Sequence, residues 1–231
     1  MKNIVLTVIT GVFAVTSFFL GSALVLLLVL FGMQKRTAFV KVSRPWARAV
    51  LRAGGIKLKV SGQDNLNVSG PLIIVSNHQG NFDIPILLAS LPIDFRFLVK
   101  KELFKVPFFG WYIRNRGDIL IDREKGQKAL RTLRATAELV RKGNPVLIFP
   151  EGTRSSDGSL GDFKRGSLII AREAGAKVVP VGISGSYDIQ KKGGFLINPA
   201  EVFVNIGRPM DIAEAAEVRA AVFSLMGSGQ R

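Results

Sequence analysis

Hydrophobic and polar positions divide the chain into three successive patterns. From Ile4 to Met33 no residue carries a charge. Those roughly thirty residues would make about 45 Å of helix at 1.5 Å per residue, more than the ~30 Å hydrocarbon core of a bilayer. The run predicts one tilted span, or an overlong helix that emerges into the headgroups. A cleaved signal has an apolar region of about 7–15 residues followed by a small-residue site. Here the run is longer and Gln34-Lys35-Arg36 follows it directly, which favours an uncleaved anchor. In the second pattern, between Thr37 and Gly54, Phe39, Val42, Trp46 and Val50 recur every three or four residues. Lys41, Arg44, Arg48 and Arg52 keep that spacing two residues on, about 200° round a helix. This predicts a basic amphipathic helix, suited to an anionic membrane surface or to packing on the domain with a solvated face. Pro45 interrupts it and is expected to kink it.

From Ile56 the pattern changes to short apolar runs alternating with amphipathic stretches. Leu72–Ser76, Ile119–Ile121, Val146–Phe149, Val178–Ile183 and Val202–Ile206 read as strands. Ile84–Ser90 reads as a helix with Asp83 as its N-cap and Pro85 in its first turn. Further helices are expected over Gly126–Lys142, over Gly166–Glu173 with Gly175 as its stop, and around Ile212–Met226. Strands alternating with helices imply an α/β layered fold. The expected organisation is residues 1–55 as membrane anchor and basic amphipathic helix, then residues 56–231 as a single α/β domain.

Charge narrows the function. The 231 residues hold 32 Lys+Arg against 17 Asp+Glu, a formal net charge of +15. Such an excess points to an anionic membrane, a phosphorylated substrate or nucleic acid. No nucleic-acid motif is recognisable, and much of the excess flanks the apolar run, where the first acidic residue is Asp64. That flank predicts the body of the chain on the cytoplasmic side. There is no cysteine and one histidine, so a disulfide framework, a thiol nucleophile and ordinary Cys/His zinc sites are excluded. Catalysis by imidazole must use His78.

Four segments stand at strand ends, where α/β folds place their chemistry. Asn77-His78-Gln79-Gly80-Asn81-Phe82-Asp83 follows a strand. In an ideal helix His78 and Asp83 would point about 140° apart, so contact requires an irregular turn, for which Gly80 and Asn81 are suited. If the pair forms, Asp83 fixes the tautomer while the other ring nitrogen takes a proton; otherwise His78 is a structural histidine. Phe149-Pro150-Glu151-Gly152-Thr153-Arg154-Ser155 also follows a strand. Gly152 permits close backbone approach, Arg154 can fork onto a phosphate, and Glu151 can bond a polyol or orient Arg154. The alternative is a turn with a structural ion pair. Arg116 and Arg123 flank the short strand Ile119–Ile121 and are either phosphate ligands or solvated charges. Val178–Ile183 walls a site or simply fills the core.

In order and spacing these segments resemble the glycerolipid acyltransferase family, most closely its bacterial branch acting on 1-acyl-sn-glycerol 3-phosphate. The resemblance covers roughly Gly70–Pro209. His78 and Asp83 match the His-x4-Asp signature, Gly117–Arg123 the second block, Glu151–Ser155 the Glu-Gly-Thr-Arg-Ser block and Val179–Val181 the fourth. Lys100 and, more weakly, Lys164 match minor features. The resemblance implies a layered α/β acyltransferase domain with a mixed sheet, and acyl transfer from a thioester to the sn-2 hydroxyl, giving phosphatidic acid. His78 would be the general base, oriented by Asp83. Arg154, Lys100, Arg123 and Arg116 would clamp the phosphate, and Glu151, Gly152 and Thr153 would orient the substrate. An imidazole titrating near ~6.5 suits proton transfer both ways. Backbone N–H groups near Gly80 or Gly152 are candidate oxyanion donors. No metal or other cofactor is implied. The expected partners are membrane lipids, lysophosphatidic acid and acyl-CoA or acyl carrier protein, at the cell inner membrane, without nucleic acid. Two other readings stay open: another acceptor (glycerol 3-phosphate, a lysophospholipid or an amino-lipid), or a non-enzymatic basic membrane- or nucleic-acid-binding module. Seven of the twenty aromatics fall in Phe95–Tyr112, interleaved with Arg96, Lys100, Lys101 and Lys105; they form either an interfacial or acyl-binding surface or part of the core.

Overall fold

A computed structural model describes residues 2–122, 126–191, 193–211 and 214–227. Helices α1 (Lys2–Leu30) and α2 (Lys35–Ala53) precede the α/β body. The body runs β1 (Lys57–Ser61), β2 (Leu72–Ser76), α3 (Asp83–Ser90), β3 (Arg96–Lys100), α4 (Phe109–Arg116), β4 (Ile119–Ile121), α5 (Gly126–Arg141) and β5 (Val146–Ile148). It continues through α6 (Ile169–Ala174), β6 (Lys177–Ser184), the short α7 (Ser186–Ile189), β7 (Glu201–Ile206) and α8 (Ala215–Gly227). Among the described residues the strands form one sheet in the order β1-β7-β6-β2-β5-β3-β4. The β6–β7 pairing is antiparallel and the others parallel, so the sheet is mixed.

The centre of the sheet is apolar because both of its faces are covered. Along β2, Leu72 and Ile74 enter a core with Leu51, Ile86 and Leu87 from α2 and α3. Ile73 and Val75 enter the opposite core with Val140, Ile170 and Val222 from α5, α6 and α8. The expected strands and the α5 helix agree with these elements to within about two residues at their ends. The helix expected from Gly166 begins instead as a 3-10 turn over Arg165–Leu168 and becomes α-helical at Ile169. The start of the C-terminal helix expected at Ile212 lies outside the described residues. Four elements had no clear sequence pattern: β1, β3, α4 and the short α7.

Helix α1 is held along its whole length. Near its start Asn3 donates to Asn198 at 2.7 Å, and the Ile197 amide donates to Thr7 Oγ1 at 2.8 Å. Thr10 donates to the Ala53 carbonyl at 3.1 Å. Farther along, Phe18 packs on Trp46 and Tyr112, and Val25 is buried with Phe39. Its other side is apolar and bare; Leu20 is 72% exposed. Helix α2 passes through Pro45 without ending. Burial of Phe39, Ala47, Val50 and Leu51 against α1 and α3 holds it. The expected basic face is shared out: Lys41, Arg48 and Arg52 are exposed, whereas Arg44 donates to the Ile93 carbonyl and Arg36 pairs with Asp94.

Candidate active site

Strands β2 and β5 are parallel neighbours, with Val75 opposite Ile148. Their C-terminal ends therefore bring the loop at 77–82 against the loop at 149–155. Asn77, 1% exposed, staples the first loop to β6: its amide donates to the Ile183 carbonyl at 2.8 Å and its Oδ1 accepts the Ile183 N–H at 2.7 Å. Gln79 is buried and donates to the Gly158 carbonyl at 2.7 Å. Sequence reasoning missed both anchors, because a buried amide among polar loop residues carries no pattern of its own.

The turn brings His78 and Asp83 together. Asp83 Oδ2 lies 2.6 Å from His78 Nδ1 and accepts the amides of Gln79 at 2.6 Å and Gly80 at 2.8 Å. Asp83 is not the N-cap of α3 as expected. It is the first helical residue, with Phe82 before it, and its carboxylate turns back to close the loop. A carboxylate already accepting two N–H groups accepts a third from the ring, so Nδ1 carries the proton and Nε2 keeps its lone pair. The ring stacks on Phe149, with centroids 4.0 Å apart and planes 14° apart. Packing and hydrogen bonding together thus set the imidazole's orientation.

His78 faces a cleft of about 560 Å³ that it shares with Ile84, Phe97, Leu98, Lys100, Gly152, Thr153 and Arg154. Arg154 Nη1 donates to Asn81 Oδ1 at 2.5 Å. Lys100 Nζ stands 3.7 Å from Glu102. The cleft offers an oriented imidazole, two cations, the Glu102 carboxylate beside one of them, and apolar walls in one space. A second, mostly apolar chamber of about 270 Å³ shares Leu98, Phe149 and Gly152 with it and reaches under α5 to Leu133. Lys164 lies over Gly152, whose φ is +72°; a Cβ there would meet Lys164 Cε and Nζ at 2.8 Å.

Three expectations change in this geometry. Arg116 is 5% exposed, paired with Asp118 and donating to the Phe95 carbonyl at 3.1 Å. Asp118 also accepts the Phe97 N–H at 2.9 Å; burial pushes its carboxyl up, against the pull of Arg116. Arg116 is therefore part of the interior beside β3, not a phosphate ligand in the cleft. Glu151 turns inward, away from a substrate-facing role: Oε1 accepts the His78 N–H at 2.7 Å and Oε2 the Gly161 N–H at 2.9 Å. Burial pushes its carboxyl up, and those two amides oppose the shift. Of the amides near the two expected oxyanion positions, those of Gly80 and Gly152 themselves are engaged, the first by Asp83 and the second by the Phe149 carbonyl at 3.0 Å. Arg123 lies outside the described residues. Val179 and Val181 are fully buried core residues.

The aromatic stretch divides between its two readings. Phe95 and Phe97 are core residues of the body. Phe108 and Trp111 are exposed and, with Phe18, Phe19 and Leu26 of α1, line an apolar groove of about 500 Å³. Phe108 holds φ at +58°, a costly conformation for a bulky residue.

Residues 57–184 match the family model described as Acyltransferase. A chloroplastic 1-acyl-sn-glycerol-3-phosphate acyltransferase from Arabidopsis thaliana is 33% identical over 220 residues, 93% of this chain and 60% of that one. The enzyme of that name from Helicobacter pylori strain J99 is 33% identical over 171 residues, 74% of this chain and 70% of its own. The crystal structure of the 1-acyl-sn-glycerophosphate (LPA) acyltransferase from Thermotoga maritima superposes with a TM-score of 0.88 at 29% identity, covering 100% of this chain and 97% of that one. The chain spans 45–60% of the length of its relatives from Arabidopsis thaliana, Brassica napus and Chlamydomonas reinhardtii.

Proposed function

This chain belongs to the Acyltransferase family, and from that premise we propose that it moves a fatty acyl group from a thioester donor to the free sn-2 hydroxyl of 1-acyl-sn-glycerol 3-phosphate, giving phosphatidic acid. The observation that carries the reading is the His78–Asp83 pair at 2.6 Å, opening on a cleft that also holds Arg154 and Lys100. The donor is an anionic thioester, acyl-CoA or acyl carrier protein, both compatible with a chain of net charge +15.

In this reading His78 Nε2 takes the acceptor's hydroxyl proton as the oxygen attacks the thioester carbonyl. The C–S bond of the tetrahedral adduct then breaks, and the imidazolium returns the proton to the thiolate. Asp83 holds the tautomer and stabilises the imidazolium. No covalent acyl-enzyme is needed. Arg154 and Lys100 hold the acceptor's phosphate, so that binding energy remote from the reacting oxygen positions that oxygen. Gly152 and Thr153 form the adjoining wall.

Residues 1–55 serve as the membrane-associated part and residues 56–231 as the catalytic domain. Helix α1 is long and apolar enough to cross a bilayer, and its bare side continues into the exposed Phe108 and Trp111. These features support a membrane-seated enzyme that meets its lipid acceptor at the surface. The basic residues that follow α1 support the cytoplasmic side of the cell membrane.

The test is acyl transfer by the detergent-solubilised full chain, with lysophosphatidic acid and each thioester donor, beside glycerol 3-phosphate and other lysolipids. Phosphatidic acid is the expected product. His78→Ala is expected to lose at least about 10²-fold in turnover while keeping its circular dichroism spectrum. Arg154→Lys keeps the charge but loses the fork, and is expected to lower kcat/KM for the phosphorylated acceptor about tenfold, with the donor KM unchanged. Near-normal turnover in His78→Ala would end the mechanism, and faster use of an unphosphorylated acceptor would end the substrate assignment.

A further inference from the structure

Glu151 is 7% exposed and does not line the cleft. A buried carboxylate loses much hydration energy and persists where its oxygens accept hydrogen bonds. Here both do, and both donors are backbone amides: His78 N–H at 2.7 Å and Gly161 N–H at 2.9 Å. The opposite end of the same histidine is also held, because the Ser155 N–H donates to the His78 carbonyl at 2.8 Å. The loop after β5 thus grips the backbone of His78 from both sides. Asp83, from α3, holds the ring and the amides of Gln79 and Gly80, but not the His78 peptide itself.

We propose that Glu151 is a positioning residue: its carboxylate ties the His78 peptide to Gly161, setting where the imidazole stands, and makes no contact with substrate. The chemistry explains why a carboxylate suits the position. A glutamine offers one acceptor oxygen, so one of the two amides would face its NH₂ group. An aspartate carries the same two acceptor oxygens one carbon farther back from both amides. The link has a far end that can be altered without touching His78 or the cleft. A Cβ added at Gly161 would stand 3.0 Å from Glu151 Oε2 and 3.6 Å from its Cγ. Gly161→Ala therefore pushes the carboxylate from its outer side.

The proposal rests on the acyl-transfer reading for its kinetic arm only. Its second arm uses the fact that the chain has one histidine, so a ¹⁵N-histidine label reports His78 alone. Wild-type, Glu151→Gln and Gly161→Ala full-length proteins in detergent micelles are compared by steady-state acyl transfer and by imidazole NMR. In Glu151→Gln, kcat is expected to fall about 10- to 100-fold, with acceptor and donor KM within about twofold of wild type. Gly161→Ala is expected to lose a smaller factor, about tenfold or less, with the same KM values. In both folded variants the Nδ1 proton of the His78–Asp83 hydrogen bond is expected to shift or broaden, a change that general loss of stability would not produce. A raised acceptor KM with kcat preserved in Glu151→Gln would overturn the proposal by placing the carboxylate on the substrate. Unchanged kcat and unchanged imidazole signals in either folded variant would overturn it too. If Glu151→Gln does not fold, Gly161→Ala decides by the same criteria. If the wild-type protein transfers no acyl group, the acyl-transfer reading falls, and the imidazole spectra alone decide the positioning role.

Discussion

One oxygen atom, Oδ2 of Asp83, receives the His78 ring and the amides of Gln79 and Gly80. It closes the loop and orients the imidazole with the same three contacts, so removing it would disturb both. At Glu151 burial dominates the ionisation. Its folded carboxyl titrates above the ordinary range. A group with a raised folded pKa contributes stability that is complete below its unfolded pKa and is lost as pH rises through the folded value. The thermal stability of the wild-type protein relative to Glu151→Gln is therefore expected to decline with rising pH across that window and to be flat below it. Melting curves of the two proteins, taken from below the ordinary carboxylate range upward, check this. A relative stability that instead rises with pH would mean that the two amides outweigh the burial. At this scale the His–Asp spacing and Arg154 were legible, because residue type and the requirement for a turn are local. The direction of Glu151 was not, since it depends on where the chain at Gly161 returns.

Helices and strands were legible where apolar runs are clean, as in β2, β5, β6 and α5. They were missed where another pattern covered them. In β1 only Leu58 and Val60 point toward the core between exposed lysines. In β3 and α4 dense aromatics serve the core on one side and α1 on the other, which blurs both the strand and helix periods. Arg116 belongs to this region and shows the result. Read as a flank of β4 it was a candidate ligand; in the fold it closes the C-terminal end of α4 against Asp118 and the Phe95 carbonyl. Replacing one member of a buried pair strands the other charge, at a cost of about 3–5 kcal/mol. Arg116→Met is expected to lower unfolding free energy by about that amount, with the acceptor KM of the remaining folded enzyme unchanged. Denaturant titration and steady-state kinetics on one preparation measure both. A raised KM without loss of stability would return Arg116 to the substrate.

Across the whole molecule, the site is the product of a pairing distant in sequence. His78 bonds to Glu151, 73 positions later, only because β2 and β5 lie side by side. Neither half carries the whole arrangement: the first has the imidazole without its backbone clamp, the second has Arg154 without the imidazole. Such non-local contacts form late and together. For the proposed reaction, a nascent chain that has exposed His78 but not yet made β5 is expected to be chemically silent, leaving a lipid beside it unmodified until the second half arrives. The same dependence makes turnover a gauge of the intact sheet. In a urea series the midpoint for loss of acyl transfer is expected to coincide with that for loss of far-ultraviolet ellipticity; activity that outlasts the sheet would mean the loops can assemble without it.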